Sequence, residues 1–132
     1  MMDCLFCKII EGEISACKVY EDNSTVAFLD INPLTDGHTI VMPKVHCEEF
    51  YQLDSDEYVS LMSVVKKIAK AIKELYNPFR VGMIVYGFDV AHAHIHLYQN
   101  TGKEVSMHQV ADYPKEKLEQ ESEKLNKFLV NN

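Results

Sequence analysis

Three of the chain's six histidines fall within five residues, His92-Ala93-His94-Ile95-His96, in strict alternation. A neutral imidazole can attack an electrophile, donate or accept a proton, or bind a metal ion, and its pKa lies near neutral pH. Successive side chains on a β-strand point to opposite faces. A strand here would put His92, His94 and His96 on one face at a spacing of roughly 7 Å, with Ala93, Ile95 and Leu97 on the other. On a helix, residues two apart diverge. Three readings fit such a row: a solvent-facing polar strip, a metal site, or a catalytic cluster in which one ring attacks while its neighbours orient it and shuttle protons. Attack on phosphorus makes an N–P bond that hydrolyses readily, so one hard displacement becomes two easier ones.

The second pattern is Cys4-Leu5-Phe6-Cys7. Two residues between thiols is the spacing of half a tetrahedral zinc site, but no second Cys-x-x-Cys exists to supply the other half. The same spacing on a helix also places two buried thiols side by side. A thioredoxin-type redox pair would follow a strand in a βαβ unit, a context this pair lacks. Cys17 and Cys47 have no partner at such spacing and read as packing residues.

The elements that must position these groups follow from pattern. Residues 4–11 form a short helix with Leu5, Phe6, Ile9 and Ile10 on one face, stopped by Gly12. Lys18–Glu21 and Thr25–Asp30 are strands joined by the turn Asp22-Asn23-Ser24, and residues 32–37 are a loop. His38–Pro43 is a third strand that completes an antiparallel meander. Asp54-Ser55-Asp56-Glu57 opens a helix whose acidic first turn suits the positive end of its dipole. Leu61, Val64, Val65, Ile68, Ile72 and Leu75 form its apolar stripe, its lysines are the solvated face, and Asn77-Pro78 ends it. Val81–Tyr86 is a strand, Gly87-Phe88-Asp89 a turn, and the histidine segment the returning strand. Residues 115–130 form a charged C-terminal helix with Leu118, Leu125 and Leu129 inward. Strands, helix, strands, helix is an α+β order: an antiparallel meander sheet with a central helix and a C-terminal helix.

The chain has 132 residues, enough for one domain with one core, here residues 1–132. A net charge of −7 argues against a generic nucleic-acid binder, though imidazoles and local dipoles still allow a small anionic ligand. No apolar run reaches the ~18 residues of a membrane helix, and the first ten residues lack the features of a signal peptide. The expectation is a cytoplasmic protein with reduced cysteines and no membrane contact.

His92-Ala93-His94-Ile95-His96-Leu97-Tyr98 resembles the His-φ-His-φ-His-φ-φ signature of the histidine triad (HIT) family, where φ is apolar. Further stretches resemble family segments in the same order: Cys4 to Ile14, Val19 to Asp22 with Ala27 to Pro33, and Gly37 to His46. The resemblance, in the Hint-like branch, implies a HIT-like fold, a homodimer in which two sheets join, and hydrolysis of nucleoside phosphoramidates or related nucleotidyl compounds at the α-phosphorus. It makes His94 the nucleophile that carries the nucleotidyl group. His92 and His96 flank it on the phosphate, and His38 supports the cluster. Asp30 takes the ribose hydroxyls, Phe6, Ile10, Phe28 and Ile31 wall a purine base pocket, and Gly87 and Val90 fit the pattern before the triad.

Phe88 and Asp89 depart from that pattern. Asp89 stands where a hydroxyl often faces the phosphate. Its charge would repel the phosphate unless it turns away, or it could hold one imidazole in a chosen tautomer. The departures leave open a nucleotide-binding regulator with little catalysis, and a dinucleoside polyphosphate hydrolase is the alternative within enzymes. Some family members with the cysteine pair bind zinc, and their pattern would complete a structural Zn²⁺ site from Cys4, Cys7, His46 and His92.

Overall fold

The computed structural model describes residues 3–87, 89–102 and 112–131. A five-stranded antiparallel sheet carries helices on both faces. Helix α1 (Leu5–Ile10) precedes strands β1 (Lys18–Glu21), β2 (Thr25–Leu29) and β3 (Thr39–Pro43), which form the meander. A single 3-10 turn at Phe50–Gln52, which local pattern does not announce, leads to α2 (Ser55–Tyr76). Strands β4 (Arg80–Ile84) and β5 (Ile95–Asn100) and helix α3 (Lys115–Asn131) follow. The sheet order is β1-β2-β3-β5-β4, so the last hairpin lays β5 against β3 and leaves β4 at the edge.

Local chemistry sets the element ends. The Asp22 carboxylate accepts the backbone N–H groups of Ser24 and Thr25, each at 2.9 Å, which closes the β1–β2 turn. Asp54 accepts from the Glu57 N–H and the Glu57 carboxylate accepts from the Asp54 N–H, a reciprocal cap for α2. Asn77 takes the left-handed conformation (φ 49°) that stops α2 one residue before Pro78.

Strands β2 and β3 are buried along their whole length because both of their faces are covered. Ala27, Leu29, Val41, Ile95 and Leu97 point to one face, where they pack on Leu61, Val65, Ile68 and Ile72 of α2 and Leu118 and Leu125 of α3. Val26, Phe28, Ile40 and Met42 point to the other and pack on Cys4, Phe6, Cys7 and Ile9 around α1. The period-2 alternation thus divides each strand between a large helical core and a smaller layer. The smaller layer carries the chemistry.

Three sequence expectations need correction. The histidine strand starts at Ile95, so only His96 of the three lies in regular sheet. Its predecessor is pulled away because the Ala93 N–H donates to the Cys47 carbonyl at 2.7 Å rather than to a strand neighbour. β4 ends at Ile84, short of Tyr86. On α1, Phe6, Cys7 and Ile9 are the buried residues, Leu5 is exposed and Ile10 half-buried. Phe88 lies outside the described residues. No described helix is long and apolar enough to cross a membrane.

Candidate active site

Strand register builds the floor of the site. Phe28 pairs with Ile40, Ile40 with His96, and His96 with Ile84, so these four side chains form one row across β2, β3, β5 and β4. All four line a cavity of about 420 Å³. Phe6 and Ile9 of α1 wall it, together with Asp30, Ile31, His38 and His94. Among the sequence candidates, Phe6, Phe28, Asp30, Ile31, His38, Asp89, His94 and His96 meet here. Ile10 and Gly87 do not line it. The neighbouring apolar contribution comes from Ile9, one helical turn from Phe6, where i and i+3 share a face. Ile31 is largely exposed at the rim.

The hydrogen bonds assign the protons. A backbone amide can only donate, so the Leu34 N–H at 2.9 Å makes His38 Nδ1 an acceptor. The proton of neutral His38 then sits on Nε2, which donates to His96 Nδ1 at 2.8 Å. His96 must therefore carry its own proton on Nε2, for which no described residue offers a partner. On His94, Nδ1–H donates to the His92 carbonyl at 2.6 Å, which leaves the Nε2 lone pair unpaired among the described residues. An N–H donor and an imidazole lone pair thus belong to adjacent rings 5.0 Å apart at their centroids. Phe6 meets His94 edge-on at 4.9 Å and restricts its swing.

Burial keeps these rings neutral. It pushes His38 down to about 3, helped by His96, and His96 down to about 4, helped by His94. It also lowers His94, against the His92 carbonyl and the charges of Asp30 and Asp89, which favour its protonated form. Burial raises Asp30, against the Asn32 N–H that its carboxylate accepts at 2.9 Å. Asp30 approaches His38 Nε2 at 3.8 Å and His96 Nδ1 at 4.0 Å, but these are not ion pairs, because both rings are neutral and the distances exceed hydrogen-bond range. Nor do Asp30, His38 and His96 suit a shared metal: the Leu34 amide puts a proton on the nitrogen that would have to bind it.

The loop behind His38 is held from elsewhere in the chain. Gln99 donates its backbone N–H to Thr35 Oγ1 and its side-chain amide to the Asp36 carbonyl. Tyr113 donates its hydroxyl to the Asp36 carboxylate at 2.7 Å, and Lys117 lies 3.3 Å from the same oxygen. Gly37 has φ +80° and stands against the Tyr76 ring, where a Cβ would come within 2.7 Å. Sequence reasoning missed Leu34, whose contribution is a backbone N–H and leaves no trace in residue type. It also missed Ile84, which becomes legible only once the hairpin register is known.

His92 faces away from this cleft. Its Nε2–H donates to the Pro43 carbonyl at 2.8 Å. Its Nδ1 points at Cys4 Sγ (3.5 Å) and Cys7 Sγ (3.6 Å), while His46 Nδ1 lies 3.3 Å from Cys7 Sγ. One lone pair cannot satisfy two thiols, whereas a cation at the centre would satisfy all four groups. The four ligand atoms lie within 4.8 Å of one another. A tetrahedral zinc with Zn–S of about 2.3 Å and Zn–N of about 2.0–2.1 Å has edges of roughly 3.3–3.8 Å, matching these separations. The Cys7 thiol is pushed up to about 11, first by burial and then by the neighbouring Cys4. Cys17 and Cys47 are half-buried and stand apart from this group.

The HIT domain family model matches residues 11–102. The chain is 42% identical over 112 residues to a HIT-like protein of Borreliella burgdorferi, covering 77% of this chain and 81% of that one. It is 37% identical over 108 residues to an adenosine 5'-monophosphoramidase of Schizosaccharomyces pombe, covering 80% of each. A solved zinc-bound histidine triad family protein from Mycobacterium smegmatis superposes with a TM-score of 0.82 at 27% identity, over 98% of this chain and 95% of that one.

Proposed function

The chain belongs to the HIT domain family, and from that premise we propose that it is a nucleotidyl hydrolase that cleaves nucleoside phosphoramidates at the α-phosphorus through a nucleotidyl-histidine intermediate. The observation that carries this reading is the pairing of a lone pair on His94 Nε2 with an N–H on His96, neither with a partner among the described residues and both rings lining one cavity. His94 Nε2 attacks phosphorus and forms the N–P bond. The electrons of the substrate P–N bond leave with the amine, which takes up a proton from solvent. The His96 N–H stabilises the charge that builds on the phosphoryl oxygens. Water then attacks phosphorus and releases a proton to solvent, the N–P electrons return to His94, and the nucleoside monophosphate departs. Its protein contacts are the Asp30 carboxylate for the ribose hydroxyls and the Phe6, Ile9, Phe28 and Ile31 walls for the base. The S. pombe relative's name supports adenosine 5'-monophosphoramidate as the class of substrate to try first.

Cys4, Cys7, His46 and His92 would hold a structural Zn²⁺, a closed four-ligand site that ties α1 to the approach of β5. β4 is an edge of the sheet, with Met83 exposed on it and Val85 exposed just past its end, which supports a homodimer formed edge to edge. The test is a fluorogenic adenosine phosphoramidate given to the purified protein. Turnover that disappears in His94→Ala while AMP binding persists agrees with the proposal. AMP binding with no turnover in the wild type would instead make the protein a nucleotide-binding regulator.

A further inference from the structure

The catalytic cleft does not end at the histidines. A second groove of about 470 Å³ shares Leu5, Asp89 and Val90 with it, so the two adjoin along that edge. Asp3, Cys4 and His46 also line this groove. Among the described residues that line the cleft and the groove there is no lysine or arginine. A site that turns over phosphate esters of high negative charge ordinarily surrounds them with cations. Here the phosphate would meet neutral imidazoles and the exposed carboxylate of Asp89. Among the described residues, no hydrogen bond or ion pair occupies that carboxylate. Its field is nonetheless felt across the cleft: at His94, His96 and Asp30 alike, burial acts first and the Asp89 charge contributes after it.

The arrangement makes sense if the charge acts on the departing half of the substrate. With the ribose at Asp30 and phosphorus at His94, the leaving group has the Asp89 edge and the adjoining groove before it. We infer that Asp89 is a specificity-determining residue, selecting nucleotidyl substrates whose leaving group is a cationic amine over those whose leaving group is an anionic phosphate chain. The inference rests on the proposed reaction at His94 and deepens it by naming the leaving-group class. It also resolves the sequence departure at this position. A carboxylate there is costly to an anionic leaving group and favourable to an ammonium. At the separations of a cleft rim, each unit charge on the leaving group is worth roughly three- to tenfold in rate.

The experiment uses three adenosine phosphoramidates with the same P–N linkage and an alkyl chain ending in an ammonium, a methyl or a carboxylate group. The quantity read is kcat/KM for each. The wild-type protein prefers ammonium to methyl and methyl to carboxylate, and added salt compresses the ranking. Asp89→Asn lowers the ammonium-to-carboxylate ratio by at least about threefold, and Asp89→Lys reverses it. Equal rates in the wild type, or a ratio unchanged in Asp89→Asn, overturns the inference while leaving the reaction in place. No hydrolysis of any of the three removes the reaction, and the inference with it.

Discussion

His92 and His94 are two residues apart, equally deep in the protein, and use opposite nitrogens. His92 gives its Nε2 proton to the Pro43 carbonyl and turns Nδ1 toward two thiols. His94 gives its Nδ1 proton to the His92 carbonyl and leaves Nε2 to the cleft. The same side chain is a metal-ligand candidate in one place and a nucleophile candidate in the other, and the backbone carbonyl each ring reaches fixes which nitrogen is left to accept. Tautomer, set by a neighbouring acceptor, thus separates the two roles before any ligand arrives.

The largest effect that tests this separation is His94→Ala. It should lower turnover by roughly 10⁴-fold or more, with bound metal unchanged by elemental analysis. Loss of metal in that variant would collapse the distinction. Cys4→Ser, on the other side, should release the metal and lower the melting temperature by several degrees, about 5–10 °C. A Cys4→Ser protein that keeps a full equivalent of metal contradicts the four-ligand corner.

Next in size is His38→Leu, which removes the donor that fixes the His96 tautomer. The expected loss is about 10- to 100-fold in kcat with KM little changed, read by steady-state kinetics on the phosphoramidate. A matched fall in kcat and rise in KM would point to a collapsed pocket instead.

The buried rings also carry a pH signature. His38 is held at about 3 and His96 at about 4, against about 6.5 in an unfolded chain. Between those values the unfolded chain binds protons that the folded protein refuses. Stability is therefore fully present above pH ~6.5 and is lost as pH falls toward ~4. Urea midpoints taken at several pH values in this window, with a chelator present so that metal release does not contribute, should fall with pH. They should fall less steeply in His38→Leu; equal slopes would show that His38 is not the buried neutral ring described here. The smallest effect belongs to Tyr113→Phe, which removes one hydrogen bond to the half-exposed Asp36 and should cost about 0.5–1.5 kcal/mol by chemical denaturation.

Much of this was legible in the chain. The apolar runs of β2 and β3 marked them as strands of a meander, and the acidic start and Asn77-Pro78 end of α2 marked its limits, because those signals are local. The three histidines and the cysteine pair stood out by spacing. What the sequence hid was tertiary. The Ala93 amide finds Cys47 across the fold, so the strand starts late, at Ile95. Ile9 replaces Ile10 in the cleft because the direction of α1 is set by its packing on β2 and β3, not by its own pattern. The proton order of the cluster depends on the Leu34 amide, and the loop carrying it is held by Tyr113, 77 positions after Asp36. No residue-type signal encodes a backbone donor or a contact of that range.

The proposed reaction requires His94 Nε2 to form the bond to phosphorus. The direct measurement is to mix the enzyme with excess adenosine phosphoramidate, stop the reaction within one turnover at alkaline pH, where an N–P bond survives, and map the adduct by mass spectrometry. The prediction is one adenylyl group on the peptide containing His94, absent in His94→Ala and present in His92→Ala. Turnover without an adduct, or an adduct on His92 or His96, would contradict it.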